Sequence, residues 1–165
     1  AIMNELKLYS VVCILGGVSR VITSFLDYNA APDLIEVLYI ATDLCLILGL
    51  IGFYSLYRAN LCWLGHLGFA LSICAIAFIA GPETKIFDAS VYQIGSPLIG
   101  LGLVLLSINI VTAKLCGFVA PISFIASVTI GLFSMLLGSG FLFILTGVLF
   151  GVGFVGLGVH VWRDS

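Results

Sequence analysis

The sequence predicts an all-α membrane protein, a single bundle of about six transmembrane helices formed by residues 1–165. Of these residues, 62% are hydrophobic and 8% are charged, whereas a soluble domain is typically about 25% charged. The mean hydropathy is +1.29, and the apolar residues form continuous runs of about 20, the length that an α-helix needs to cross the hydrocarbon core. Lipid offers the backbone no hydrogen-bond partner, so only helices or a closed barrel can span it, and continuous runs favour helices.

Six apolar segments match this prediction. In chain order they are residues 6–25, 35–57, 61–80, 91–113, 117–137 and 141–162. Residues 27–34 and 81–90 carry the proline, asparagine and acidic residues that are typical of loops. Gly138-Ser139-Gly140 is expected to turn tightly, because glycine tolerates positive φ. The sequence therefore predicts one domain of antiparallel helices.

The basic residues predict the orientation of the bundle. With the N-terminus inside, Lys7, Arg58, Lys114 and Arg163 all lie at one end, and Lys85 alone lies at the other. Because cytoplasmic loops carry an excess of Lys and Arg, both termini are expected in the cytoplasm. The expected location is the inner (plasma) membrane of a bacterium.

The motifs in the sequence favour a non-enzymatic function. No HExxH, GxSxG or P-loop occurs, and no basic run indicates nucleic acid. Residues 151–156 read GxGxxG, but this run lies inside an apolar helix and so indicates packing rather than dinucleotide binding.

We therefore expect a transport or binding module or an accessory subunit. A membrane-embedded enzyme acting on a lipid is the alternative. The expected partners are the bilayer and either further copies of the chain or a larger membrane complex.

Two charged residues lie inside the first two predicted helices, Arg20 and Asp43. An ionised side chain at the centre of a spanning helix costs about 3 kcal/mol, so such residues usually pair or serve a polar pathway. Arg20 follows Lys7 by thirteen residues and Asp43 precedes Tyr57 by fourteen, which puts both about 20 Å from the inner surface. We predict an intramembrane ion pair or an ion or proton site at this depth. Glu36 lies seven residues before Asp43, on the same helix face.

His66 and His160 are the only histidines in the chain. Both are expected toward the inner side, on the third and sixth helices. Two imidazoles from different helices at similar depth can ligate a b-type haem axially, which would make this an electron-transfer protein. The alternative is two interfacial histidines that bind headgroups or water.

Small residues on the last two predicted helices indicate close packing. Gly147 and Gly151 form a GxxxG step, and Ser127 and Gly131 lie on one face of the fifth helix. Small residues let helix backbones approach in the membrane. We therefore expect the fifth and sixth helices to pack closely, within one subunit or between copies.

Overall fold

Six α-helices make up most of the chain in the computed structural model, which describes residues 2–26, 31–80, 85–86 and 89–165. The helices in this part are α1 (Ile2–Thr23), α2 (Pro32–Tyr57), α3 (Trp63–Ile79), α4 (Val91–Thr112), α5 (Val119–Leu137) and α6 (Gly140–Asp164). The predicted all-α bundle is confirmed.

Five of these helices are long and apolar enough to cross a membrane, and α3 is shorter. With 17 residues, α3 spans about 25 Å, somewhat less than the roughly 30 Å hydrocarbon core. The predicted segment began at Leu61. In the structure α2 continues into a 3-10 turn over Arg58–Asn60, and Leu61 and Cys62 have extended backbones. Helix α3 therefore starts only at Trp63.

The ends of α2 and α5 show how single residues set the helix boundaries. Helix α2 begins at Pro32, three residues before the predicted start, because proline at the first helical position loses no hydrogen bond and its φ is already helical. Helix α5 is capped by Gly138, whose φ is +63° and whose N–H donates to the carbonyl of Ser134. Glycine adopts this left-handed conformation without a steric cost.

A short hairpin leads into α4. Residues Lys85–Ile86 pair antiparallel with Ala89–Ser90. Ser90 then caps α4: its side chain accepts from the N–H of Gln93, and the Gln93 side chain accepts from the N–H of Ser90. This reciprocal capping box fixes the helix start. Parts of the loops predicted over residues 27–34 and 81–90, namely residues 27–30, 81–84 and 87–88, lie outside the described residues.

The helices follow each other around the bundle in chain order. Helix α1 packs on α2 and α6, α5 packs on α6 and α4, and α3 packs on α4, whereas α2 and α3 touch only sparsely. Side chains that are almost fully buried fill the centre: Leu46, Leu50, Phe53, Leu103, Leu106, Phe124, Phe154 and Leu157. Many large apolar side chains lie on the outside. An apolar exterior suits a bundle surrounded by lipid.

Helices α1 and α6 touch through their backbones. A Cβ atom added to Gly151 would lie 2.5 Å from the carbonyl oxygen of Gly17, and one added to Gly17 would lie 2.6 Å from that of Gly151. Gly147 faces Ser24, the residue that follows α1. The GxxxG step was expected against α5, and the structure corrects this. The motif marks a helix face that permits close approach, but α6 has a neighbour on either side, and the motif does not say which one meets it.

Ser127 and Gly131 do lie against α6. The hydroxyl of Ser127 donates to the carbonyl oxygen of Thr146 at 2.9 Å, and a Cβ added to Gly131 would lie 3.2 Å from Cγ2 of Thr146. Helix α6 therefore uses one face of small residues for α1 and another face for α5. In lipid such close packing and interhelical hydrogen bonds hold helices together.

Candidate functional site

A cavity of about 370 Å³ opens among all six helices. Its lining comes from the end of α1, the start of α2, the end of α3, the start of α4, the end of α5 and the start of α6. One residue from each, in that order, is Arg20, Asp43, Ile79, Tyr92, Val128 and Thr146. All of these ends point away from the end that holds Lys7, Arg58, Lys114 and Arg163. The cavity therefore occupies one half of the bundle.

The packing of the helices explains the space. Helix α2 packs closely on α1 but only sparsely on α3, and glycines rather than larger side chains line part of the wall at positions 100, 131 and 147. Most other lining side chains are apolar, among them Ile40, Ile99 and Leu132. The volume lies within the range of about 300–1,000 Å³ that is usual for small-molecule sites.

Arg20 reaches the cavity from α1 between two aromatic rings. Its Cζ atom lies 5.2 Å from the ring centroid of Tyr39 and 5.8 Å from that of Phe150. Its Nη2 atom donates to the hydroxyl of Tyr92 at 3.4 Å. The Nε atom is buried and has no hydrogen-bond partner. Aromatic faces attract the guanidinium cation, so the side chain is held in place while one of its donors stays unused.

Asp43 and Glu36 bring two carboxylates from α2 to the same cavity. Among the described residues, one basic side chain lies within 4.0 Å of an acidic one, and this is the contact between His160 and Asp164. Arg20 and Asp43 thus share the cavity without a direct ion pair, which was one of the two arrangements that the sequence predicted. Of the described residues that line the cavity, one is cationic and two are acidic.

The interface between α1 and α2 explains why the two charges stay apart. The hydroxyls of Ser19 and Thr42 lie 2.6 Å from each other across this interface. Arg20 and Asp43 are the next residues on their helices, and each is turned by about 100° from its neighbour. The sequence predicted the two charges at the same depth in the membrane. The contact between Ser19 and Thr42, however, occupies the centre of the α1–α2 interface, so Arg20 and Asp43 lie beside it.

His160 lies at the basic end, far along α6 from the cavity. Its Nε2 atom is 3.1 Å from the carbonyl oxygen of Leu115 and 3.5 Å from Oδ2 of Asp164. The ring stacks on Tyr57 with a centroid distance of 6.2 Å. A nitrogen that faces a carbonyl oxygen and a carboxylate is not directed at a metal.

His66 has a different aromatic neighbour. Its ring meets the ring of Tyr54 edge-on at 5.6 Å, whereas His160 stacks on Tyr57. Each imidazole therefore packs against its own tyrosine of α2, and the structure gives the haem hypothesis no support. Neither histidine is among the described residues that line the cavity. An Asp–His couple for an enzyme is therefore not assembled around Asp43.

The basic end also carries a small polar cluster between α2, α6 and the α4–α5 connection. The hydroxyl of Tyr57 donates to Oδ2 of Asp164. Burial, together with the Asp164 carboxylate, raises the pKa of the Cys116 thiol to about 12. The thiol thus stays protonated at neutral pH, and thiolates are the reactive form. In the described ranges no group of three or more His, Cys, Asp or Glu side chains could hold a metal ion.

Sequence reasoning missed the residues that hold Arg20 in place. Tyr39 and Tyr92 stand near the starts of the second and fourth predicted segments, and an arginine often lies against aromatic rings. This general preference could have pointed to the two tyrosines as neighbours of Arg20. Nothing in the sequence pointed to Phe150, because it resembles the other apolar residues of its helix.

The same helical bundle can carry unrelated functions, so the fold class by itself assigns none. Comparison with models of protein families, with curated proteins and with solved structures finds no match.

Proposed function

We propose that this protein is a non-enzymatic membrane module that binds a small molecule in the cavity between its six helices, as a transport protein does. The observation that carries the proposal is the half-buried Arg20 at the cavity wall, whose Nε atom is buried without a hydrogen-bond partner and which has Asp43 in the same space. Ionisable residues inside a membrane are expensive, and they mark substrate or ion pathways when they are not paired with each other.

A purely structural role explains these two charges less well. If Arg20 and Asp43 served only to dock α1 on α2, a direct ion pair at the helix interface would be the expected arrangement. That interface is instead closed by the hydroxyls of Ser19 and Thr42 and by small residues, such as Gly49 against Cys13. The charges face the cavity, where a ligand could reach them.

The walls indicate the kind of ligand. Sites for small molecules are typically lined by apolar side chains with a few placed polar groups, and this cavity has that composition. Under the positive-inside rule the cavity lies in the outer half of the bundle. The proposed route of entry is therefore from the outside.

The test is small-molecule capture with a cavity-filling variant. Ser96 lines the cavity on α4, so Ser96→Trp should fill it. Leu101 lies on the same helix with 51% of its surface exposed, and Leu101→Trp adds the same ring on the outside. Each purified protein is incubated with a metabolite extract of its own expression host and re-isolated. The retained compounds are then identified by mass spectrometry.

The proposal expects at least one compound that the wild type and Leu101→Trp retain and Ser96→Trp loses. Uptake of that compound into proteoliposomes then separates a transporter from a binding module, and Asp43→Asn should reduce a cation- or proton-coupled flux. Identical retained compounds for all three proteins, or none for any, would refute a ligand site in the cavity.

A further inference from the structure

We infer that the ligand of this cavity is a zwitterion with an apolar body, whose anionic group binds Arg20 and whose amine binds Asp43. The inference rests on the proposed function and specifies its ligand chemistry. It follows from three features of the cavity: an arginine with a free Nε donor, a carboxylate that no described cation contacts within 4.0 Å, and apolar walls.

Arg20 keeps one donor free for a ligand. The rings of Tyr39 and Phe150 lie near the guanidinium, and Tyr92 takes a hydrogen bond from Nη2. The buried Nε is left without a partner. Guanidinium donors bind carboxylate or phosphate oxygens in the plane of the group, often two at a time. A carboxylate or phosphate oxygen of the ligand would satisfy the free Nε donor.

Asp43 presents the opposite charge in the same space. No cationic group of the described chain lies within 4.0 Å of it, and Glu36 lies about 10 Å further along α2. A ligand amine at Asp43 would supply the missing partner. Charged hydrogen-bond donors and carboxylates make the stronger class of hydrogen bond.

The two charges together select against singly charged ligands. Inside a membrane a charge without a partner is costly. An anion alone would satisfy Arg20 and leave Asp43 bare, and a cation alone would do the reverse. A zwitterion satisfies both, and its apolar part can lie against walls such as Ile40, Ile99 and Leu132.

This chemistry has two sources. A free amino acid with an apolar side chain carries a carboxylate and an ammonium group next to each other. Phosphatidylethanolamine carries a phosphate and an ammonium group in its headgroup, and its acyl chains could extend from the cavity into the bilayer. Both are zwitterions with an apolar body, and the experiment separates them.

The first arm measures affinities of soluble probes by calorimetry in detergent without phosphatidylethanolamine. L-Leucine and L-phenylalanine are the zwitterions. Their amides keep only the positive charge, and 4-methylpentanoate and 3-phenylpropanoate keep only the negative charge. The second arm counts lipids retained by native mass spectrometry from nanodiscs that contain phosphatidylethanolamine or phosphatidylglycerol.

Four variants locate the two contacts. Arg20→Gln should abolish the preference for the zwitterion over the amide, and Asp43→Asn should abolish the preference over the deaminated acid. Arg58→Gln and Asp33→Asn make the same changes at exposed residues that do not line the cavity, and they should leave both preferences intact. Each preference is a ratio within one protein, so a smaller folded fraction does not alter it.

The expected result is a zwitterion bound at least tenfold more tightly than either singly charged counterpart, in the soluble arm, or phosphatidylethanolamine retained over phosphatidylglycerol and lost in Arg20→Gln. The inference is overturned if neither source shows this preference, or if Arg20→Gln and Asp43→Asn both keep it. Capture of a neutral or singly charged compound that Ser96→Trp abolishes would leave the proposed function standing and refute the zwitterion alone.

Discussion

Replacing Gly151 by alanine should loosen the contact between α1 and α6. The added Cβ would lie 2.5 Å from the carbonyl oxygen of Gly17 and 2.7 Å from Cγ2 of Val21. Cβ atoms essentially never approach other atoms within 3.0 Å, so the helices must separate by about 0.5 Å or more at this point. The obstacle is backbone, which cannot turn aside as a flexible side chain can.

The magnitude follows from two opposing effects. Overpacking of a close contact typically costs about 1–3 kcal/mol. Replacing glycine by alanine within a helix stabilises the helix by up to about 1 kcal/mol, because glycine has the lower helix propensity. We expect Gly151→Ala to lower the free energy of unfolding by about 1–2 kcal/mol.

The assay is unfolding by sodium dodecyl sulfate in mixed micelles, followed by circular dichroism. Gly140→Ala is the matched control: Gly140 is also in α6, and a Cβ added there would meet nothing within 4 Å. The control should be neutral or slightly stabilised by the gain in helix propensity. If Gly151→Ala is as stable as Gly140→Ala, α1 and α6 do not make this close contact.

Three further changes probe the basic end of the bundle. Tyr57→Phe removes the hydrogen bond to Asp164 and should lower the free energy of unfolding by about 1–2 kcal/mol, and an unchanged unfolding midpoint would count against that bond. The pKa of Cys116 is raised from 9.0 to about 12, so the folded state keeps a proton that the unfolded state releases, and stability should fall as the pH rises from 9. Cys116→Ser should flatten that fall, and identical pH profiles would contradict it. The buried Oδ1 of Asn109 has no partner, while its Nδ2 donates to the sulfur of Cys62. Asn109→Leu should therefore be neutral or raise the unfolding midpoint, and a clear loss of stability would show that Oδ1 does have a partner.

The helices of this fold could be predicted from the sequence, because hydropathy reports directly on the length of apolar segments. The start of α4 at Val91 and the end of α5 at Leu137 were predicted to the residue. The start of α3 was placed two residues early, since hydropathy does not distinguish an extended apolar residue such as Leu61 from a helical one.

The candidate site could be predicted only in part. The positions of Arg20 and Asp43 within adjacent helices followed from the sequence. Whether the two side chains touch did not, because contact depends on the rotation of each helix about its axis as well as on depth. The cavity left no trace in the sequence. It arises where α2 and α3 diverge and where glycines from three helices meet, which is a property of the packed bundle.

The central claim is that this bundle contains a cavity that is reached from one end, and thiol labelling tests it most directly. Ser96 lines the cavity, whereas Ser107 on the same helix is 0% exposed. Eleven residues separate them, so they lie on one helix face about 16 Å apart.

Ser96→Cys and Ser107→Cys are treated in detergent with a charged methanethiosulfonate reagent, and the labels beyond those of the wild type are counted by intact mass. We predict one additional label on Ser96→Cys and none on Ser107→Cys. Equal labelling of the two variants, or no added label on Ser96→Cys, would contradict the cavity and the function proposed for it.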